Sequence, residues 1–329
     1  MSLAGKNILF FSPEFFGYAK AITAELLRLG SNVDAYDTRP DNSTLTKVGL
    51  RIAPFLLANR TNTYHKEILG RCQKQYDYVF VIRGEGMNSS ILKSYRTAFP
   101  DAKFVYYTYD ALSENHLTLE FEPYFDRLAS FDPLDCATHS FLEYQPLFYI
   151  PKYASVPNTP FATRAYDVSS IGTFRLDRYE TIKRIDGILE PNLKRYYFHY
   201  HPSQVIFNTF KLFSRAYREV NPAELHFQSL AANAVADVLT ESKVVIDVQK
   251  LHQRGLTMRT IEMLGANRKL ITTNSQVKTH DFYNPNNICV VNPLEPVIPG
   301  NFFSIPYQAP AFETRKKYSL ASWLERLLS

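Results

Sequence analysis

Alternating apolar runs and helical periodicities predict an α/β protein of two parallel-sheet domains facing each other across a cleft. Three observations carry that prediction. Short apolar runs of the buried-strand type alternate with amphipathic stretches from Ile8 to Phe131. The same alternation starts afresh at Asp167. The chain has 329 residues, too many for one ordinary core and comfortable for two of about 150.

The opening reads strand, turn, helix, strand. Ile8 to Phe11 is a continuous apolar run, as expected of a parallel strand covered on both faces. Ser12 to Gly17 make the turn. Ala19, Ile22, Leu26 and Leu29 recur at helical spacing, and Gly30 stands where a helix-terminating glycine belongs. Asn32 to Tyr36 form the next strand. The pattern returns at Tyr76–Ile82, Ser89–Phe99 (a helix stopped by Pro100), Lys103–Thr108 and Arg127–Phe131. Tyr149 to Pro160 carries several prolines and marks the crossing, so the domains are expected over 1–150 and 151–329. In the second half, strands are expected at Asp167–Ile171, Arg195–His199, Lys243–Val248 and Lys269–Thr273. Helices are expected at Arg178–Leu189, Val205–Arg218 and Thr257–Gly265, and Leu320–Leu328 reads as a final amphipathic segment. Two such βα arrays describe two Rossmann-like domains.

Composition removes other classes. Hydrophobic residues make up 45% and charged residues 21%, as in ordinary globular chains. No run approaches the roughly 18 apolar residues of a spanning helix. The N-terminus lacks a signal-peptide layout, because the apolar run after Lys6 stops at Ser12-Pro13. Cys72, Cys136 and Cys289 are scattered, forming neither a disulfide framework nor a zinc site. The expected location is cytoplasmic, with peripheral contact at the inner membrane face left open. The net charge of +5 suits an anionic substrate or lipid surface. It is spread along the chain, so no nucleic-acid partner is expected.

The most informative stretch runs from Val244 to Gly265. A buried strand ends in a polar, basic loop with Lys250, His252 and Arg254, and the chain then enters a helix whose first turn holds Thr257, Arg259 and Thr260. A helix N-terminus presents unpaired N–H groups and about half a positive charge. Together with Lys250 and Arg254 it suits a diphosphate. Glu262, a turn further on, can accept two hydrogen bonds from a ribose diol. The same residues also fit an ordinary strand–loop–helix with a solvated face and a surface Glu–Arg pair.

The run Gly255-Leu256-Thr257-Met258-Arg259-Thr260-Ile261-Glu262-Met263-Leu264-Gly265, followed by Lys269 to Asn274, resembles the donor-binding segment of group-1-type glycosyltransferases. Within these it is most similar to the CgeB-like, polysaccharide-biosynthesis branch. Tyr78–Gly86, Tyr106–Leu112, Phe131–Pro133, Ile171–Thr173 and Asp281–Pro285 with Asn287 agree in order. The resemblance implies the GT-B fold, a nucleotide-diphosphate sugar as donor substrate, and no cofactor. It implies that Glu262 binds the nucleotide ribose while the preceding loop and helix end hold the phosphates. It further implies a glycan or lipid-linked acceptor. Many relatives carry a Gly–x–Gly turn in the opening loop; here Ser12 to Gly17 holds one glycine.

Further candidates follow from position. Gly172, Thr173 and Arg175, with Arg178, follow the first strand of the second half and are the second candidate phosphate contact, with surface arginines starting a helix as the alternative. His199 and His201 share one side of the next strand. No third metal ligand has suitable spacing, so no metal is expected and His201 is assigned to the donor pocket. In the first half, Asp110 follows a buried strand at its carboxyl end, where α/β sites gather. It is the candidate general base for an acceptor hydroxyl, with a capping role as the alternative. Glu85, His116 and His139 are the substitutes. No P-loop, G-x-S-x-G elbow or Asp-x-Asp occurs. A sugar-nucleotide 2-epimerase and a non-catalytic binding protein of the same fold are the competing readings.

Overall fold

The computed structural model describes residues 2–14, 16–114, 117–155, 161–251 and 253–329, with the side chains of 44, 51, 117 and 118 left aside. It divides into two compact units. One comprises Met1–Leu147 with Ser319–Ser329, and the other Phe148–Tyr318.

The first unit holds a parallel sheet of β1 (Asn7–Phe11), β2 (Asn32–Tyr36), β3 (Tyr78–Ile82), β4 (Lys103–Thr108), β5 (Arg127–Ser130) and β6 (Leu142–Tyr144), in the order β2-β1-β3-β4-β5-β6. Every residue of β3 is buried, and parallel strands covered on both faces become continuous apolar runs for this reason. Gly30 ends the Tyr18–Arg28 helix at φ +86°, in the left-handed region that glycine enters without penalty. Asn88 caps the Ser89–Ala98 helix by accepting from the Ile91 N–H at 3.0 Å.

The second unit holds β7 (Tyr166–Thr173), β8 (Arg195–Tyr200), β9 (Leu225–His226), β10 (Ser242–Asp247), β11 (Lys269–Thr272) and β12 (Ile288–Val290), all parallel, in the order β12-β11-β10-β7-β8-β9. The strand order reverses between β7 and β10. In doubly wound sheets that reversal opens a crevice at the carboxyl ends of the two strands, and ligands collect there. In the first sheet the reversal falls between β1 and β3.

Three sequence expectations are adjusted. The helix read over Val205–Arg218 stops at Phe213, because Ser214 takes an extended conformation before a short turn at Arg215–Arg218. Helices Thr44–Ile52 and Pro54–Arg71 add to the first unit. The boundary at 150/151 gave residues 319–329 to the second domain, whereas they pack in the first unit. Trp323 of the Leu320–Leu327 helix is fully buried against Tyr107, edge-on at 4.8 Å between centroids, with Phe80 at 6.1 Å. Gln145 donates to the Trp323 carbonyl at 2.9 Å.

Candidate functional site

The carboxyl ends of β7 and β10 bring most of the predicted donor residues together. Asp247 ends β10 and is buried. Its Oδ2 accepts from the Thr257 hydroxyl and, at 3.3 Å, from the Thr260 hydroxyl. Thr257 is also the N-cap of the Met258–Ala266 helix, accepting from the Thr260 N–H at 3.2 Å. One carboxylate thus fixes the helix N-terminus against the end of the central strand, with its dipole directed out of that turn.

The loop between them is held at both ends. The Gln249 N–H donates to Thr273 Oγ1 at 3.2 Å, and the Gln249 carbonyl accepts from Arg175 at 2.9 Å. The fully buried Asn274 donates to the carbonyls of Arg254 and Gly255 at 3.3 and 3.1 Å. Lys250 and Arg254 lie exposed between these anchors, and His252 lies outside the described residues. The buried Gln249 Oε1 has no hydrogen-bond partner among the described residues. It is an acceptor that a bound hydroxyl or N–H would satisfy.

Arg175 and Arg178 occupy the β7 side. Arg175 grips Asp177 through two hydrogen bonds of 3.0 and 2.6 Å. Arg178 donates to the Val248 carbonyl at 3.2 and 3.1 Å and to the Thr173 carbonyl at 3.0 Å, stitching the ends of β7 and β10 together. Gly172 makes room for it: a Cβ there would lie 2.6 Å from Arg178 Nη1. Burial, then repulsion from Arg175, lowers the Arg178 pKa to about 10; Arg259 adds to the repulsion, while Asp247 and Asp177 oppose it. Three arginines therefore share this neighbourhood with three carboxylates, Asp177, Asp247 and Glu262. The two exposed cations of the loop, Lys250 and Arg254, supply its positive excess.

Glu262 is buried in the middle of its helix and accepts from Arg259 Nη1 at 2.7 Å. The solvated surface pair that its residue types also allowed is not what forms. His201 follows β8 in an aromatic cluster, 5.8, 5.6 and 6.2 Å from the ring centroids of Phe174, Phe207 and Phe227. Its Nδ1 accepts from the Ser203 N–H at 3.2 Å. Burial pushes the His199 pKa down to about 4. Among the described residues no group of three His, Cys, Asp or Glu side chains is placed to hold a metal ion.

In the first unit Asp110 pairs with Arg83 at 2.8 Å. Arg83 also faces Glu85 at 3.9 Å, and Glu85 in turn meets Arg39 at 3.4 Å. Both sequence-predicted carboxylates thus enter one ion-pair cluster beyond the ends of β3 and β4. Burial would lower the Arg83 pKa, but the charges of Asp110 and Glu85 outweigh it and raise the value. Arg83 holds a left-handed φ of +63° without being glycine, a conformation that side chains adopt at a cost of about 1–3 kcal/mol. Gly84 follows at the same φ, and a Cβ there would collide with the Phe121 ring. Sequence reasoning missed Arg39, Arg83 and Asn274. For Asn274 the signal was the polar run Thr272-Thr273-Asn274 closing an apolar strand. His116 lies outside the described residues, and His139 packs against Phe141 at 5.5 Å.

No family model matches the chain, and no curated protein sequence does. Solved structures do resemble it. An alpha-glucosyltransferase in complex with UDP and a 13-mer DNA containing a central A:G mismatch matches at a TM-score of 0.57 and 14% identity, over 99% of this chain and 93% of that one. The Anabaena protein HepE, in complex with UDP and glucose, matches at 0.58 and 11% identity over 98% of each chain.

The fold is GT-B.

A UDP-N-acetylglucosamine 2-epimerase is also similar, with a TM-score of 0.50 and 9% identity over 99% of this chain and 94% of that one. At these identities the likeness is one of fold. The GT-B architecture does not by itself assign a reaction; the CgeB-like branch rests on the sequence resemblance alone.

Proposed function

We propose that the chain is a glycosyltransferase that moves a sugar from a nucleotide-diphosphate donor to a glycan or lipid-linked acceptor in surface polysaccharide synthesis. One observation carries the reading. The strand reversal between β7 and β10 coincides with a capped helix N-terminus, an anchored basic loop and the buried Glu262. In this reading the Met258–Ala266 helix dipole, Lys250 and Arg254 balance the diphosphate, with Gly172, Thr173, Arg175, Arg259 and Thr260 around it. Glu262 takes the ribose hydroxyls. Asp110 removes the proton of the acceptor hydroxyl as its oxygen bonds to the anomeric carbon. The bond from that carbon to phosphate breaks, and the nucleoside diphosphate leaves with the electron pair. Metal is not required where fixed cations and a helix N-terminus stabilise that leaving group.

UDP is the first nucleotide to test, because the alpha-glucosyltransferase and HepE structures hold it. Thermal-shift measurements with UDP-, GDP-, CMP- and dTDP-sugars should show stabilisation by at least one, since a ligand that prefers the folded state raises its melting temperature by mass action. No shift with any of them at millimolar concentration would refute the reading. The epimerase likeness supports a second reaction. Incubation with UDP-N-acetylglucosamine alone separates the two, since an epimerase needs no acceptor. A DNA duplex belongs in the acceptor panel because the alpha-glucosyltransferase was solved with one; the dispersed cations favour a glycan or lipid-linked acceptor.

A further inference from the structure

The Gln204–Phe213 helix in the second unit is built the wrong way round for a protein surface. Phe207 is its buried residue, packed on Phe174 and Tyr217 with centroids 5.9 Å away in each case. Val205, Leu212 and Phe213 are 75, 76 and 84% exposed, and Ile206 and Phe210 about half exposed. At 100° per residue Val205, Leu212 and Phe213 lie about 120–160° round the helix from Phe207 and Ile206 about 100°, whereas Phe210 is about 60° away and packs on Tyr217 at 5.1 Å. An ordinary surface helix puts that face into the core. Lys211 lies beside Phe207, its Nζ 5.8 Å from that ring, while Arg215 and Arg218 follow the outward apolar face in the next short turn, and no acidic residue occurs between Gln204 and Arg218. Only at Glu219 does a carboxylate appear, 3.5 Å from Arg215.

We infer that this helix is the element through which the protein lies on an anionic lipid surface. An exposed apolar helix face followed directly by exposed arginines has the composition of interfacial segments, whose apolar face enters the headgroup boundary while the cations meet anionic lipids. Charge decides between the two simplest occupants. A second copy packed on the same face would bring two acid-free cationic segments together, because an isologous contact pairs a patch with itself. An anionic bilayer neutralises them. The inference locates the membrane contact of a lipid-linked acceptor and so deepens the glycosyltransferase reading. Its test reads binding rather than transfer, so the two can fail separately.

The test is co-sedimentation of the full chain with vesicles of phosphatidylcholine alone and of phosphatidylcholine mixed equally with phosphatidylglycerol. The expected result is binding to the mixed vesicles that weakens as salt rises. The combined variant Val205→Ser, Leu212→Ser, Phe213→Ser, which leaves Phe207 in place, should lose that binding with an unchanged melting temperature. Arg215→Glu with Arg218→Glu should weaken it more than about 20-fold, since each cation near such a surface strengthens binding about fivefold. Three outcomes would overturn the inference: no binding to the mixed vesicles, undiminished binding by the serine variant, or equal binding to phosphatidylcholine alone. A dimer in light scattering that the serine variant dissolves would assign the face to a second copy instead.

Discussion

Replacing Glu262 by glutamine separates a ribose-binding carboxylate from one that only serves its neighbour. Arg259 Nη1 donates to Glu262 Oε2 at 2.7 Å, with the glutamate side chain 4% and the arginine 18% exposed. Glutamine keeps the volume and one carbonyl acceptor, so that hydrogen bond survives without its charge. The difference between a charged and a neutral hydrogen bond is about 1 kcal/mol, which lowers the melting temperature of a unit this size by about 2–4 °C. In the nucleotide complex, two ribose hydroxyls donating to the carboxylate would each lose about the same amount. Affinity for UDP should then fall by about 2 kcal/mol, or about 30-fold. Isothermal titration with UDP beside a thermal melt reads both quantities. A lowered melting temperature with UDP affinity unchanged within about twofold would leave Glu262 as a structural partner of Arg259 and Tyr153.

Four further outcomes are expected. Gly265→Ala should destabilise the second unit by about 1–3 kcal/mol, since its Cβ would lie 2.5 to 2.9 Å from three Tyr149 atoms; Gly187→Ala, which meets nothing within 4 Å, should be neutral, and urea melts compare the two. Burial holds His65 and His199 at about 4, below the ordinary 6.5. The unfolded chain therefore binds more protons between these values, so stability is full above pH 6.5 and falls as pH drops toward 4 by up to about 3 kcal/mol for each, a slope that urea midpoints at pH 7 and 4.5 would reveal or deny. Asp110→Asn should cut transfer about 10²–10⁴-fold with donor affinity intact; near-normal turnover with a lowered melting temperature would make the Arg83–Asp110 pair structural. Transfer should persist in EDTA, and loss that Mg²⁺ or Mn²⁺ restores would contradict a metal-free mechanism.

Much of this was legible in the sequence where a local signal existed. The buried strands announce themselves because both faces are covered, and Thr257 before an amphipathic run marks a helix start. Short strands such as Leu142–Tyr144 and Leu225–His226 span too few residues to show a period. Helices Thr44–Ile52 and Pro54–Arg71 were missed, and apolar residues such as Leu45, Ile52 and Phe55 that stay exposed blur the pattern there. Residue type also reveals charge without revealing how it is used. Arg175 and Arg178 read as candidate phosphate contacts, and the sequence does not show that their N–H groups hold backbone carbonyls and Asp177. Arg83 and Asp110 are far apart in sequence, and only the adjacency of β3 and β4 makes them a pair. The terminal helix showed which face it would bury but not which unit would receive it.

That helix has a consequence for how the protein is made. Residues 148–318 form one uninterrupted unit, whereas the first unit is closed by residues 319–329. Its sheet emerges first from the ribosome, yet Tyr107 and Phe80 must wait for Trp323 to cover them. Domains assembled in strict order of synthesis finish from the N-terminal end. Here the unit that is begun first is completed last, after the whole of the second has been translated. In the interval that side of its core is open to chaperones or to misassociation, and a ribosome stalled before residue 319 would release a chain with only its second unit complete.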